Sequence, residues 1–130
     1  MKSVRLMIVE DHEFQRTVLE QMLVGMGARS VSVASNGREA IRMLQNPEMP
    51  VDIVISDLLM PDVDGIELLP ALARVVPPVS LILASADEQS LRVAYEIAKG
   101  QGIRVLGTIS KPITPGKLLP LLAALRSGIS

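Results

Sequence analysis

A doubly wound α/β fold built on a parallel sheet is what this sequence predicts, and three observations carry the prediction. Five short apolar runs of about strand length alternate with five longer stretches of helical period. Most of the runs are almost continuously apolar, as parallel strands covered on both faces must be. Polar and charged residues terminate four of the runs at their carboxyl ends, where open α/β sheets hold their ligands. A (βα)₅ alternation implies right-handed crossovers.

The elements follow in order. The predicted strands are Val4–Val9, Ser30–Ala34, Val51–Ser56, Val79–Ala84 and Arg104–Ile109, each rich in Val, Ile or Leu. The second, SVSVA, alternates between polar and apolar residues, which suits a less buried strand at a sheet edge. Phe14, Val18, Leu19, Met22, Leu23 and Met26 fall at helical spacing, and Gly27 is a natural stop. Asn36 with Glu39 and Asp64 with Glu67 have capping-box spacing and open a second and a third helix. Asp87 caps a fourth, carrying Leu91, Ala94 and Ala98 on one face, with Gly100 and Gly102 at its far end. Thr114 and Pro115 form a cap and a first-turn proline ahead of Leu118, Leu122 and Leu125. Pro70 and Pro120 fall past the first turn of their helices, where a proline removes a hydrogen bond and should kink or shorten the helix.

Composition narrows the function classes. A chain of 130 residues is about one domain, taken here as residues 1–130, and its 48% apolar and 21% charged residues describe a globular protein. A net charge of -1 gives no electrostatic reason to expect nucleic acid or an anionic membrane as partner. The absence of cysteine excludes a disulfide framework and thiolate metal sites, and it suits a reducing cytoplasm. The longest uncharged apolar stretch, Leu118–Leu125, is too short to span a bilayer.

The residues that end the runs suggest a chemistry. Glu10 and Asp11 end the first, Asp57 the third, Ser85 the fourth and Lys111 the fifth. Carboxylates crowded together repel unless a hard cation lies among them, and Mg²⁺ favours a few carboxylates with water and phosphate oxygens. A carboxylate also serves as a nucleophile toward phosphorus, and phosphoryl transfer asks mainly for positioning and charge neutralisation. The set therefore reads as a phospho-accepting site. Asp57 is the nucleophile, Glu10 and Asp11 hold the metal, and Lys111 and Ser85 bind the phosphate. Taken singly, each residue has a plainer explanation as a turn, a cap or a surface lysine. Their coincidence at one end of the sheet outweighs those readings.

The stretches IVEDH (Ile8–His12), SDLLMPDVDGIELL (Ser56–Leu69), LILASAD (Leu81–Asp87) and GTISKPIT (Gly107–Thr114) resemble the receiver domain of two-component response regulators over essentially the whole chain. The resemblance implies a flavodoxin-like three-layer sandwich with strand order 2-1-3-4-5. It implies phosphoryl transfer to Asp57 from a sensor histidine kinase or phosphotransfer protein, with Mg²⁺ held by Glu10, Asp11, Asp57 and the backbone carbonyl of Leu59. Such a domain is a switch, catalysing only its own phosphorylation and dephosphorylation, and it is cytoplasmic. Homodimers through the face of the fourth and fifth helices belong to the same expectation. The segment Ala94–Leu118 resembles receivers fused ahead of EAL-type cyclic-di-GMP phosphodiesterase domains, although no EAL motif is present.

One position departs from the family pattern. Receivers commonly carry Phe or Tyr three residues before the lysine, as a rotamer switch, and here that residue is Thr108. The rival reading is thus a receiver-like interaction module that works without phosphorylation. A haloacid-dehalogenase-like phosphatase would need a second Asp where Leu59 stands, and a nucleotide-binding domain would need glycines where Glu10 and Asp11 stand. His12 reads as a solvated loop residue, and Tyr95 as either interface or core.

Overall fold

Strand side chains alternate between two faces, so a run apolar at every position needs a cover on both sides. In the computed structural model, which describes residues 3–58 and 64–127, both covers are helical. The elements are β1 (Arg5–Val9), α1 (Glu13–Gly25), β2 (Ser30–Ala34), α2 (Gly37–Leu44), β3 (Ile53–Asp57), α3 (Asp64–Leu72), β4 (Ser80–Ser85), α4 (Glu88–Gly100), β5 (Arg104–Ser110) and α5 (Pro115–Ser127). All strands pair in parallel in the order β2-β1-β3-β4-β5, the flavodoxin-like topology.

The period-two rule sorts the core into two layers. Met7, Val9, Val54, Leu81 and Leu83 face α2, α3 and α4, where they meet Ala40, Leu68, Leu72, Leu91 and Ala94. Leu6, Ile8, Ile53, Ile55 and Ile82 face the other way, onto Leu19 and Leu23 of α1 and Leu118 and Leu122 of α5. The central strands β3 and β4 are buried at every position, whereas β2 at the edge is only partly covered. The SVSVA alternation had that origin.

Most helix ends follow their predicted caps. The Glu39 amide donates to Asn36 Oδ1 at 2.8 Å, and the Glu39 carboxylate accepts from the Ser35 amide at 2.8 Å. The Gln89 amide donates to Asp87 Oδ1 at 3.1 Å, and the Lys117 amide to Thr114 Oγ1 at 3.2 Å. Gly27 follows the end of α1 with φ 90°, a left-handed conformation that costs glycine little. The side chains of the predicted Asp64–Glu67 capping box lie outside the described residues.

Two expectations about helices need adjusting. Phe14 and Val18 do not join the α1 core face, being 72% and 42% exposed; only Leu19 and Leu23 are buried, with Met22 and Met26 packed at the margin. Their helical spacing was real, but both line an open cavity with Lys111, Pro112 and Ile113 and are not closed off by the core. Pro120 does not end α5, which continues to Ser127, while α3 stops two residues after Pro70. Both prolines face solvent, so the bond each removes is not lost from the core.

β5 carries a local irregularity. Leu81 pairs with Val105 but Ile82 with Gly107, so Leu106 is an extra residue in the ladder. At Gly107 a Cβ would sit 2.5 Å from Leu121 Cδ2, so α5 packs directly on the strand backbone there. Thr108 is exposed and, with Leu91, Tyr95 and Gly107, lines a cavity of about 370 Å³ between α4 and β5. Tyr95 itself is half-buried against the α2–α4 layer, with Lys99 Nζ 5.1 Å from its ring centre.

Candidate functional site

The parallel register carries the strand ends to one place. The Glu10 amide donates to the Ala34 carbonyl at 3.1 Å, extending the β1–β2 ladder past Val9. Asp57 pairs with Ala84 at the end of β3, and Ser85 pairs with Ser110. The Lys111 amide then donates to the Ser85 carbonyl at 2.9 Å, placing Lys111 at the end of the β4–β5 ladder. Glu10, Asp57 and Ser85 are 4%, 6% and 0% exposed, and Asp11 is exposed.

Carboxylate oxygens of Glu10, Asp11 and Asp57 lie within 4.8 Å of one another. Lys111 Nζ reaches into this group, donating to Glu10 Oε1 and Asp57 Oδ2 at 2.9 Å each and to Gln15 Oε1 at 2.6 Å. Burial pushes the Glu10 carboxyl up from its ordinary value, and the Asp57 charge adds to this, against the lowering effect of Lys111 and the His12 amide. Burial lowers the Lys111 ammonium, but the hydrogen bonds and charges of Asp57 and Glu10 outweigh it and raise the group overall. The two shifts differ in origin: desolvation outweighs Lys111 at Glu10, whereas the two buried carboxylates outweigh desolvation at Lys111.

Ser85 is adjacent but turned aside. Its Oγ accepts from the Asp87 amide at 3.0 Å, and it does not line the cavity of about 300 Å³ formed by Glu10, Asp11, His12, Gln15, Asp57, Ala86 and Lys111. Leu59, expected to contribute a backbone carbonyl, lies outside the described residues, as do Met60 and Pro61. His12 is the exposed N-cap of α1, with a long 3.5 Å contact from the Gln15 amide to its Nδ1. Sequence reading missed Gln15. The available signal was its place in the first turn of a helix that opens at the carboxyl end of β1.

The donor set fits a hard divalent cation. Three carboxylate oxygens within 4.8 Å of one another are the hard oxygen donors that Mg²⁺ takes. Lys111 Nζ bonds one oxygen of Glu10 and one of Asp57, two of the three carboxylates in the cluster.

Fold and site together define a doubly wound α/β domain with an acidic, lysine-closed pocket at the carboxyl end of its sheet. The chain belongs to the response regulator receiver domain family, whose model matches residues 6–123. Among curated relatives, the chemotaxis protein CheY of Thermotoga maritima is 30% identical over 91% of this chain and 93% of its own. CheY of Bacillus subtilis is 31% identical over 84% and 97%. A response regulator from Colwellia psychrerythraea is 30% identical over 95% of this chain and 98% of its own, with a TM-score of 0.72. The response regulator TrrA from Thermotoga maritima, solved in complex with Mg(2+)-BeF, superposes with a TM-score of 0.75 at 21% identity, over 94% of this chain and 98% of its own.

Proposed function

We propose that this receiver domain takes a phosphoryl group onto Asp57 from the phosphohistidine of a sensor kinase or phosphotransfer protein. The observation that carries the reading is the Lys111 ammonium bridging two buried carboxylates, one of them at the end of β3. An interaction module that is never phosphorylated has no need of that arrangement. Glu10, Asp11 and Asp57 would hold Mg²⁺, together with the Leu59 carbonyl that the family resemblance implies, and the ion would neutralise charge on the incoming phosphoryl oxygens.

In the transfer, an Asp57 carboxylate oxygen attacks phosphorus, the phosphorus–nitrogen bond breaks, and the departing imidazole keeps the electron pair and takes a proton. Lys111 releases its bond to Asp57 and donates to a phosphoryl oxygen instead. Hydrolysis reverses the capture: water attacks phosphorus, the bond to Asp57 breaks, and inorganic phosphate leaves the carboxylate free.

Ser85 links the event to α4. When its hydroxyl turns toward the phosphoryl group, the Asp87 amide loses its acceptor, and Asp87 is the N-cap of α4. The route needs no aromatic at Thr108. The switched α4–α5 face then acts on a partner, a second copy or an output domain, for which the segment Ala94–Leu118 favours an EAL-type phosphodiesterase. A cytoplasmic location accords with such a partner set.

The test is incubation with phosphoramidate or acetyl phosphate and Mg²⁺, followed by intact mass. A phosphoryl-sized gain that disappears in Asp57→Ala is expected. No gain in the wild type under rapid quenching, or a gain that survives the substitution, overturns the assignment.

A further inference from the structure

Gln15 stands outside the set of residues that the phosphorylation reading uses, yet it makes the shortest of the three contacts to Lys111: 2.6 Å against 2.9 Å for Glu10 and for Asp57. We propose that Gln15 is a positioning residue for phosphoryl transfer, its side-chain carbonyl holding the Lys111 ammonium over the site when Glu10 and Asp57 turn to other partners. The inference rests on the function proposed above.

An ammonium has three protons, and here each has an acceptor in Glu10, Asp57 and Gln15. Two of those acceptors belong to the carboxylate cluster suited to a divalent cation. Once a cation occupies the cluster, both anionic anchors are shared with a charge that repels Lys111. A lysine side chain is long and flexible, and a cavity of about 440 Å³ beside α1, lined by Phe14, Val18 and Lys111 among others, offers it an outward path. Gln15 is the one acceptor of the three that is not part of the cluster.

Its chemistry and its placement both suit the task. A carboxamide accepts a hydrogen bond without bringing a negative charge that would repel an anionic phosphodonor. α1 also holds Gln15 firmly in relation to the strand ends. The Arg16 amide donates to the His12 carbonyl at 2.9 Å, and Arg16 Nη1 donates to the Glu10 carbonyl at 3.0 Å, tying the first turn to the end of β1. The first turn thereby sets where the carboxamide sits relative to the Asp57 cavity, whose wall includes Gln15 itself.

The test compares the wild type with Gln15→Met and Gln15→Glu at a solvent-exposed position that both replacements can occupy. Phosphorylation is followed at increasing phosphoramidate with saturating Mg²⁺. Gln15→Met, similar in shape but without the acceptor, should lower the saturating rate roughly three- to tenfold with little change in the half-saturating donor concentration. Gln15→Glu restores an acceptor, so its saturating rate should return toward wild type while the half-saturating concentration rises, because the new charge repels the donor. Mg²⁺ affinity should be unchanged in Gln15→Met. A wild-type saturating rate in Gln15→Met overturns the proposal, and so does an equal loss in both variants, which would mark a purely steric role. If the wild type takes up no phosphoryl group, the phosphorylation reading fails first and this inference fails with it. A wild type that is modified, beside variants indistinguishable from it, removes Gln15 alone.

Discussion

Replacing Lys111 with Met tests the electrostatics of the pocket without removing Asp57, the proposed phosphoacceptor. The substitution leaves Glu10 and Asp57, 4% and 6% exposed, without the cation that bonds each at 2.9 Å. Breaking a buried ion pair from one side costs about 3–5 kcal/mol, and the opening of this site to solvent reduces that to about 2–3 kcal/mol. Total stability of a domain is about 5–15 kcal/mol, so the loss is large, equivalent to about 10 °C in Tm. Its pH dependence follows from Glu10, whose folded carboxyl lies above its ordinary value of 4.5 because of burial. A raised folded value means that the native state binds the proton more tightly than the unfolded chain. Stability therefore falls as pH rises from the unfolded value through the folded one. Without the lowering effect of Lys111 that folded value climbs further, so the penalty is larger at neutral pH and shrinks as pH falls toward 4.5. Millimolar Mg²⁺ should restore much of the loss at pH 7, and the variant should bind Mg²⁺ more tightly than wild type, because its competitor is gone. Urea unfolding at pH 5 and pH 7, with and without Mg²⁺, reads all of this. Wild-type stability at pH 7 without Mg²⁺, or an equal loss at both pH values, would refute the reasoning.

Two further substitutions probe the frame around the site. Burial raises Asp52, but Arg5 hydrogen bonds and charge outweigh it and bring the carboxyl below its usual value of 3.8, so its contribution is present above that value and lost as pH falls through the folded one. Asp52→Ala should therefore cost about 0.5–1 kcal/mol at pH 7, in urea unfolding, and much less near pH 2. Gly107→Ala places a methyl 2.5 Å from Leu121 Cδ2, and since that side chain is partly packed, a loss of about 1–3 kcal/mol is expected by thermal melting, with the phosphoryl adduct still formed by intact mass.

Particular residues show how much was legible beforehand. Asn36, Asp87 and Thr114 cap the helices they were expected to cap, because an N-cap bond spans two or three residues and is written locally. β2 lies at an edge as its alternation suggested, since burial on one face leaves a period-two signature. Strand order was less accessible: periodicity places strands but does not rank them, and the order 2-1-3-4-5 came from resemblance to receivers. The helical spacing of Phe14 and Val18 misled, because period reports which side of a helix a residue occupies and not whether anything closes over it there.

The site divides along the same line. That Glu10, Asp11, Asp57, Ser85 and Lys111 share one end of the sheet was determined by the sequence, since parallel strands carry their carboxyl ends to the same edge. Only the tertiary structure decided that one ammonium joins Glu10, Asp57 and Gln15, that Ser85 looks toward the α4 cap, and that a cavity stands beside Thr108. Those facts depend on side-chain direction across separations as long as the 101 residues between Glu10 and Lys111. Local propensity carries no information over that distance. Packing does.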